Sequence, residues 1–257
     1  MAAPHPDTRC LFLIGSQRSG TTMLLEELTA PPELEAHGEG SPALMHDYRL
    51  ISVERLQAVR TASAARLLVC KPLCDSQWAD RLLQLVDASR AVWVFRIWPD
   101  VVNSMLRMWP GHFTEVAARF RAGDEAWLKW RSERIDPTTR RRLLDLLDAA
   151  GTDEAAAAAA FWWLRNRLFF DLGLQHRPEF VRPLRYRDFV HDSALWLRRL
   201  LRFAGSDATV RPTLRVHAQS LGRDPAPAVP TSIRDACDRL FDDLRECAAA
   251  AWRADAS

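Results

Sequence analysis

Short unbroken apolar runs alternate along the chain with stretches whose apolar residues recur every three or four positions. Residues 10–14 (CLFLI) form a strand-length run stopped by Gly15, and residues 21–28 then carry apolar positions at helical spacing until Pro31-Pro32. The unit recurs: residues 66–70 predict a strand, 77–86 an amphipathic helix, 91–96 a strand, and a further helix opens near Pro99, a residue suited to a first helical turn. Repeated strand–helix units predict a parallel sheet with helices on both faces. A sheet covered on both faces needs strands that are apolar throughout, as these are.

From 109 to 172 the pattern is helical only, with an alanine run at 155–160 and tryptophans at Trp109, Trp127, Trp130, Trp162 and Trp163. The strand pattern returns at 181–186. It carries Pro183, which cannot donate to a ladder and places the strand near a sheet edge. A helix at 193–203, a loop rich in Pro and Gly at 206–230 and a last helix from Ser232 to about 252 complete the chain. The expected organisation is one α/β domain over 1–257, with a central parallel sheet flanked by helices. Its parts are a core at 9–108, a helical insertion at 109–175 and the remaining core with the C-terminal helix at 176–257.

Composition narrows the function classes. The 257 residues are 48% hydrophobic, and 35 basic residues against 33 acidic ones give a formal charge of +2. This excludes a long nucleic-acid footprint or a basic membrane-binding face, so any anion site must be local. Lys71 and Lys129 are the sole lysines. Cys10, Cys70, Cys74, Cys237 and Cys247 are odd in number and lack a zinc-type spacing with His, which suits a reduced, cytoplasmic protein with no bound metal. No apolar stretch approaches the roughly 18 to 20 residues of a membrane helix, and residues up to Arg9 hold no signal-type apolar segment, so neither membrane insertion nor export is expected.

The sharpest local signal is GSQRSGTT, between the first strand and the first helix. A loop of this kind turns backbone N–H groups and a helix N-terminus toward one point, where a phosphate or sulfate is held. Its candidate ligands are Gly15, Gln17, Arg18, Ser19, Gly20, Thr21 and Thr22. The nucleotide-binding P-loop reads G-x-x-x-x-G-K-[ST]; Gly15 and Gly20 have that separation, but Thr21 stands where the lysine belongs, and the positive charge has moved to Arg18.

With these residues the chain resembles the sulfotransferases that use 3′-phosphoadenosine 5′-phosphosulfate (PAPS), whose 5′-phosphosulfate loop R-S-G-T-T is similar to. The resemblance implies a three-layer, P-loop-like fold, PAPS as cosubstrate, 3′,5′-adenosine bisphosphate (PAP) as product, and no required metal. It also implies a 3′-phosphate site made by an Arg at a strand end and a Ser two helical turns on, which VFRIWPDVVNSML supplies as Arg96 and Ser104. Ile97-Trp98-Pro99 departs from the family's Asp-Pro after that Arg. LRYRDFVHDSALWLRRLLRFAG resembles the family's R-Y-E-D-L segment, with Tyr186 matching the Tyr near the nucleotide and Asp188-Phe189 standing for Asp-Leu. FWWLRNRL resembles the helix that precedes it.

Arg at position 18 is similar to the protein-tyrosine sulfotransferases rather than to simple cytosolic members, and implies charge neutralisation on the sulfuryl group. The same comparison implies Glu39, in His37-Gly38-Glu39-Gly40, as general base and Lys71, after a strand, as stabiliser of the leaving group. Glu33, Glu35, His37 and His46 compete for the base, while Ser76 and Ser220 are further phosphate donors to consider. The expected reaction is transfer of a sulfuryl group from PAPS to a hydroxyl or amine of a small-molecule acceptor, lying between the loop and the tryptophan-bearing helices. A bacterial-style cytoplasmic enzyme is expected. The alternatives are a nucleotide-dependent kinase with an atypical P-loop, needing Mg²⁺ and ATP, and an inactive PAP-binding protein. Oligomeric state is open.

Overall fold

A computed structural model describes residues 8–29, 33–212 and 221–253; Pro31-Pro32, expected to end the first helix, lie outside them. In chain order, β1 (Arg9–Gly15) leads through the loop into α1 (Thr21–Glu27). β2 (Leu34–His37), a two-residue hairpin of β3 (Met45–His46) and β4 (Arg49–Leu50), and α2 (Val53–Ala62) come next. β5 (Leu67–Cys70), a 3-10 helix at Leu73–Trp78, α3 (Ala79–Leu85), β6 (Ser89–Phe95) and α4 (Trp98–Met108) follow. The helical stretch holds α5 (His112–Ala122), α6 (Glu125–Leu128), α7 (Pro137–Ala150) and α8 (Glu154–Asp171). Finally come β7 (Val181–Arg185), α9 (Tyr186–His191), α10 (Ser193–Ala204) and α11 (Thr231–Arg253).

The main sheet has the order β2-β5-β1-β6-β7, all parallel, with Phe12 opposite Cys70 on one side and Ile14 opposite Trp93 on the other. The chain fills one side of β1 and then crosses to the other. Such a switch opens a crevice beyond the carboxyl ends of the central strands. Side chains alternate across the strands: Cys10, Phe12 and Ile14 join the core under α4, α5, α7, α8 and α11, while Leu11 and Leu13 join the one under α1, α9 and α10. The fold is therefore a three-layer, P-loop-like α/β one.

Two strand expectations meet different outcomes. β7 is an edge strand, as Pro183 requires, and Trp252 Nε1 on α11 donates to the Pro183 carbonyl at 2.7 Å. β2 has no counterpart in the apolar pattern, because LEAH alternates and lies at the opposite edge, pairing with β5 alone. α2 also escapes that pattern, since among its residues only Leu56 is buried. The helix expected from residue 77 begins at Ala79, after the 3-10 turn. In α8 the residues from Ala156 to Arg165 are all buried; its alanines allow close packing from every side, so the helix belongs to the same core as the sheet face. Among the described residues, no helix is long and apolar enough to cross a membrane.

Candidate active site

The loop after β1 is shaped by two glycines. Gly15 has φ +126°, and a Cβ there would lie 2.4 Å from the Val94 carbonyl oxygen on β6, so a side chain is excluded. Ser76 Oγ accepts the Gly15 N–H at 3.0 Å and donates to Leu73 O at 2.8 Å. Ser76, one of the donors considered, thus fastens the loop from behind and does not line the cavity; Ser220 lies outside the described residues. Gly20 has φ +94°, and a Cβ there would fall 2.1 Å from Tyr186 Cδ2. Its missing side chain lets the Tyr186 ring lie against the loop.

A cavity of about 810 Å³ lies beside this loop. The loop contributes Gln17, Arg18, Gly20, Thr21 and Thr22 to its lining, the segment after β2 contributes Glu39, and the end of β5 contributes Lys71. Arg96 after β6, Ser104 on α4 and Tyr186 at the start of α9 complete the group. Gly15 and Ser19 are buried and do not line the cavity. Both polar atoms of the Gln17 amide, and Ser19 Oγ, are buried without a hydrogen-bond partner. Buried polar atoms without partners cost about 1–3 kcal/mol each, so the Gln17 amide at the cavity wall suits a ligand that would satisfy it.

Three sets of contacts order the charged groups. Lys71 Nζ stands 2.8 Å from Glu39 Oε2 and donates to Thr22 Oγ1 at 2.9 Å. Arg96 donates to Asp100 Oδ2 from Nε at 3.1 Å and from Nη2 at 2.9 Å, and its guanidinium stands 4.9 Å from the Tyr186 ring centroid. Trp162 Nε1 donates to the Arg96 carbonyl at 3.1 Å, fixing the backbone from the core side. Arg18, with φ +62°, donates from Nε to Ser104 Oγ at 3.0 Å. Partial burial, followed by the charges of Arg96 and Arg107, pulls the Arg18 pKa below its ordinary value. Arg18, Arg96 and Arg107 all line the cavity; Arg96 is paired with Asp100 and Arg107 with Asp224, and the cluster favours an anion.

The competing bases go elsewhere. His37 is hydrogen-bonded to Glu35 Oε1 at 2.7 Å and to Ser41 Oγ at 2.8 Å, while Glu35 Oε2 accepts from Ser63 at 2.5 Å. Glu33 and His46 are exposed. None of the four lines the cavity, where Glu39 is the sole carboxylate among the described residues.

The rest of the lining is Trp109, His112, Phe113, Trp130, Arg131 and Phe161, together with Met23, Tyr48, Leu73, Cys74, Arg107 and Met108. Of the tryptophans expected near an acceptor, Trp109 and Trp130 line this wall, whereas Trp162 and Trp163 are core residues. Burial, then the charge of Glu39, pushes the Cys74 thiol up to about 12. Sequence reasoning missed Asp100, Arg107, His112, Phe113 and Arg131. Only Asp100 left a signal, an acid four residues after Arg96 across a strand–helix junction. Among the described residues, no three His, Cys, Asp or Glu side chains are grouped to hold a metal.

No protein-family model matches the sequence, and no curated protein matches it. Among solved structures, the chain is similar to the sulfotransferase from Alicyclobacillus acidocaldarius, with a TM-score of 0.50 and 13% identity over 96% of this chain and 95% of that one. It is also similar to the sulfotransferase domain from the curacin biosynthetic pathway, with a TM-score of 0.53 and 13% identity over 91% of this chain and 98% of that one. At such identity the likeness is one of fold.

Proposed function

We propose that the protein is a sulfotransferase that moves a sulfuryl group from PAPS to the hydroxyl of a small-molecule acceptor. The observation that carries this reading is the meeting, in one cavity, of a phosphate loop without its lysine, the Arg96, Ser104 and Tyr186 group, and the Glu39–Lys71 pair. The fold shared with two sulfotransferases supports it. The cavity residues fit the cosubstrate: the unpartnered Gln17 amide, the bare Gly20 backbone and the guanidiniums of Arg18 and Arg96 suit a ligand with several anionic groups.

PAPS supplies a sulfuryl group whose bond to the 5′-phosphate oxygen breaks as the acceptor oxygen bonds to sulfur. This chain provides the surroundings. Glu39 accepts the acceptor's proton, Lys71 holds Glu39 and meets charge on the departing oxygen, and Arg18 balances charge on the sulfuryl oxygens. Arg96 and Ser104 bind the 3′-phosphate, with Arg96 held in register by Asp100 and stacked on Tyr186. Thr21 in the lysine position of the P-loop leaves the kinase alternative without an observation in its favour.

The direct test is incubation with radiolabelled PAPS and a panel of phenols and alcohols, without added metal. The expected result is acceptor-dependent release of PAP with label on the acceptor. Transfer from Mg-ATP instead, or no PAP from any acceptor, overturns the reading.

A further inference from the structure

A charged side chain on the cavity wall has no carboxylate partner among the described residues. Arg131 ends the 3-10 turn Lys129–Arg131 and lines the cavity beside Trp109, His112 and Trp130. Its guanidinium stands 4.6 Å from the Trp130 ring centroid and 5.5 Å from that of Trp127. Among the described residues no carboxylate pairs with it, and no hydrogen bond satisfies the guanidinium. Arg119 pairs with Asp124 and Glu115, Arg134 with Asp80, and Arg49 with Asp75 and Glu133, whereas Arg165, over the same Trp130 ring, donates to the Gln77 and Leu73 oxygens. A half-buried arginine without a counterion in a ring-lined cavity carries a desolvation cost that an anionic ligand would offset.

Two further observations agree. Lys129 has φ +50° and ψ −129°, and Arg134 has φ +57°, so backbone in an unfavourable region brackets Arg131. Strain of this kind persists where the surroundings impose it, often at ligand clamps. Burial, then the charge of Arg131, lowers the pKa of the His112 imidazole below its ordinary value, against the acids Glu115 and Glu154.

We propose that the acceptor bears a carboxylate as well as the hydroxyl that is sulfated, and that Arg131 selects it. This rests on reading the cavity as a sulfuryl-transfer site. Trp109, Phe113, Trp130 and Phe161 give the cavity that Arg131 lines ring-bearing walls, suited to an aromatic body. Cys74 lines the same cavity as Glu39 and Arg131, so one ligand in that cavity faces both side chains. The substrate class is a small aromatic hydroxy acid, its carboxylate meeting the planar guanidinium fork.

The test is calorimetric titration with 3-(4-hydroxyphenyl)propanoate and with its uncharged amide, each with and without saturating PAP. It compares wild type, Arg131→Gln and Arg131→Lys. Wild type is expected to bind the acid about 10- to 100-fold more tightly than the amide, the range of a charge-assisted pair. Arg131→Gln equalises the two, Arg131→Lys keeps part of the preference, and unchanged amide affinity in both variants reports an intact cavity. Equal affinity in wild type, no detectable binding of the acid, or a preference that survives in Arg131→Gln overturns the proposal. PAP binding is read in the same titrations: its absence counts against sulfuryl transfer and leaves the Arg131 result standing, whereas PAP binding without an acid preference counts against Arg131 alone.

Discussion

Lys71 Nζ lies 2.8 Å from Glu39 Oε2, and the same ammonium donates to Thr22 Oγ1 at 2.9 Å. One buried lysine thus joins the end of β5, the turn after β2 and the first turn of α1. A carboxylate, an ammonium and a hydroxyl of the loop are thereby held together.

Glu39→Gln keeps the size of that side chain and removes its basicity. Turnover is expected to fall about 10²- to 10⁴-fold, the usual reach of general base catalysis. PAP affinity is expected to stay unchanged, because the loss is confined to proton transfer. Steady-state kinetics alongside PAP titration separates the two effects, and full activity in the variant would move the base elsewhere.

Arg96→Ala removes the charged fork assigned to the 3′-phosphate. Affinity for PAP should drop about 10- to 100-fold, the worth of a charge-assisted contact, with AMP affinity little changed. Equal losses for PAP and AMP would show that Arg96 serves the cavity in general.

Gly20→Ala places a methyl group 2.1 Å from the Tyr186 ring at φ +94°. PAP binding should be lost and the protein destabilised, by thermal melting. Adding Tyr186→Ala should restore part of the stability by removing the clash, but not the about 1–2 kcal/mol cost of the left-handed backbone. No difference between the single and double variants would contradict this close packing.

Cys74 lines the cavity, yet burial and Glu39 push its thiol up to about 12. A raised pKa keeps the unreactive thiol form, so alkylation by iodoacetamide should be slow at pH 7.5 and rise about tenfold per pH unit toward that value. Glu39→Gln removes one of the charges responsible and should speed alkylation at fixed pH. Mass spectrometry of the modified peptide follows both.

The parallel core was legible because β5 and the residues after the first positions of β1 and β6 are buried on both faces and apolar, the polar Arg9, Ser89 and Arg90 standing at the strand starts. Pro183 marked its edge for the lack of an N–H. β2 was not legible, since LEAH is a short edge strand with mixed polarity, and α2 buries too little to leave a stripe. The cavity divides in the same way. Arg18, Arg96 and Ser104 lie beside strand ends in recognisable local motifs, whereas Arg131 and His112 reach the cavity through the packing of α5, α6 and α8, which no local spacing encodes. Asp100 pairs with Arg96 across a strand–helix junction, four residues on.

The most direct measurement is calorimetric titration of the metal-free protein with PAP, using AMP and ATP as comparators. Tight binding that depends on the 3′-phosphate is the predicted result and would tie Arg96 and the loop to one cosubstrate. Equal affinity for PAP and AMP, or binding of Mg-ATP alone, would contradict the account.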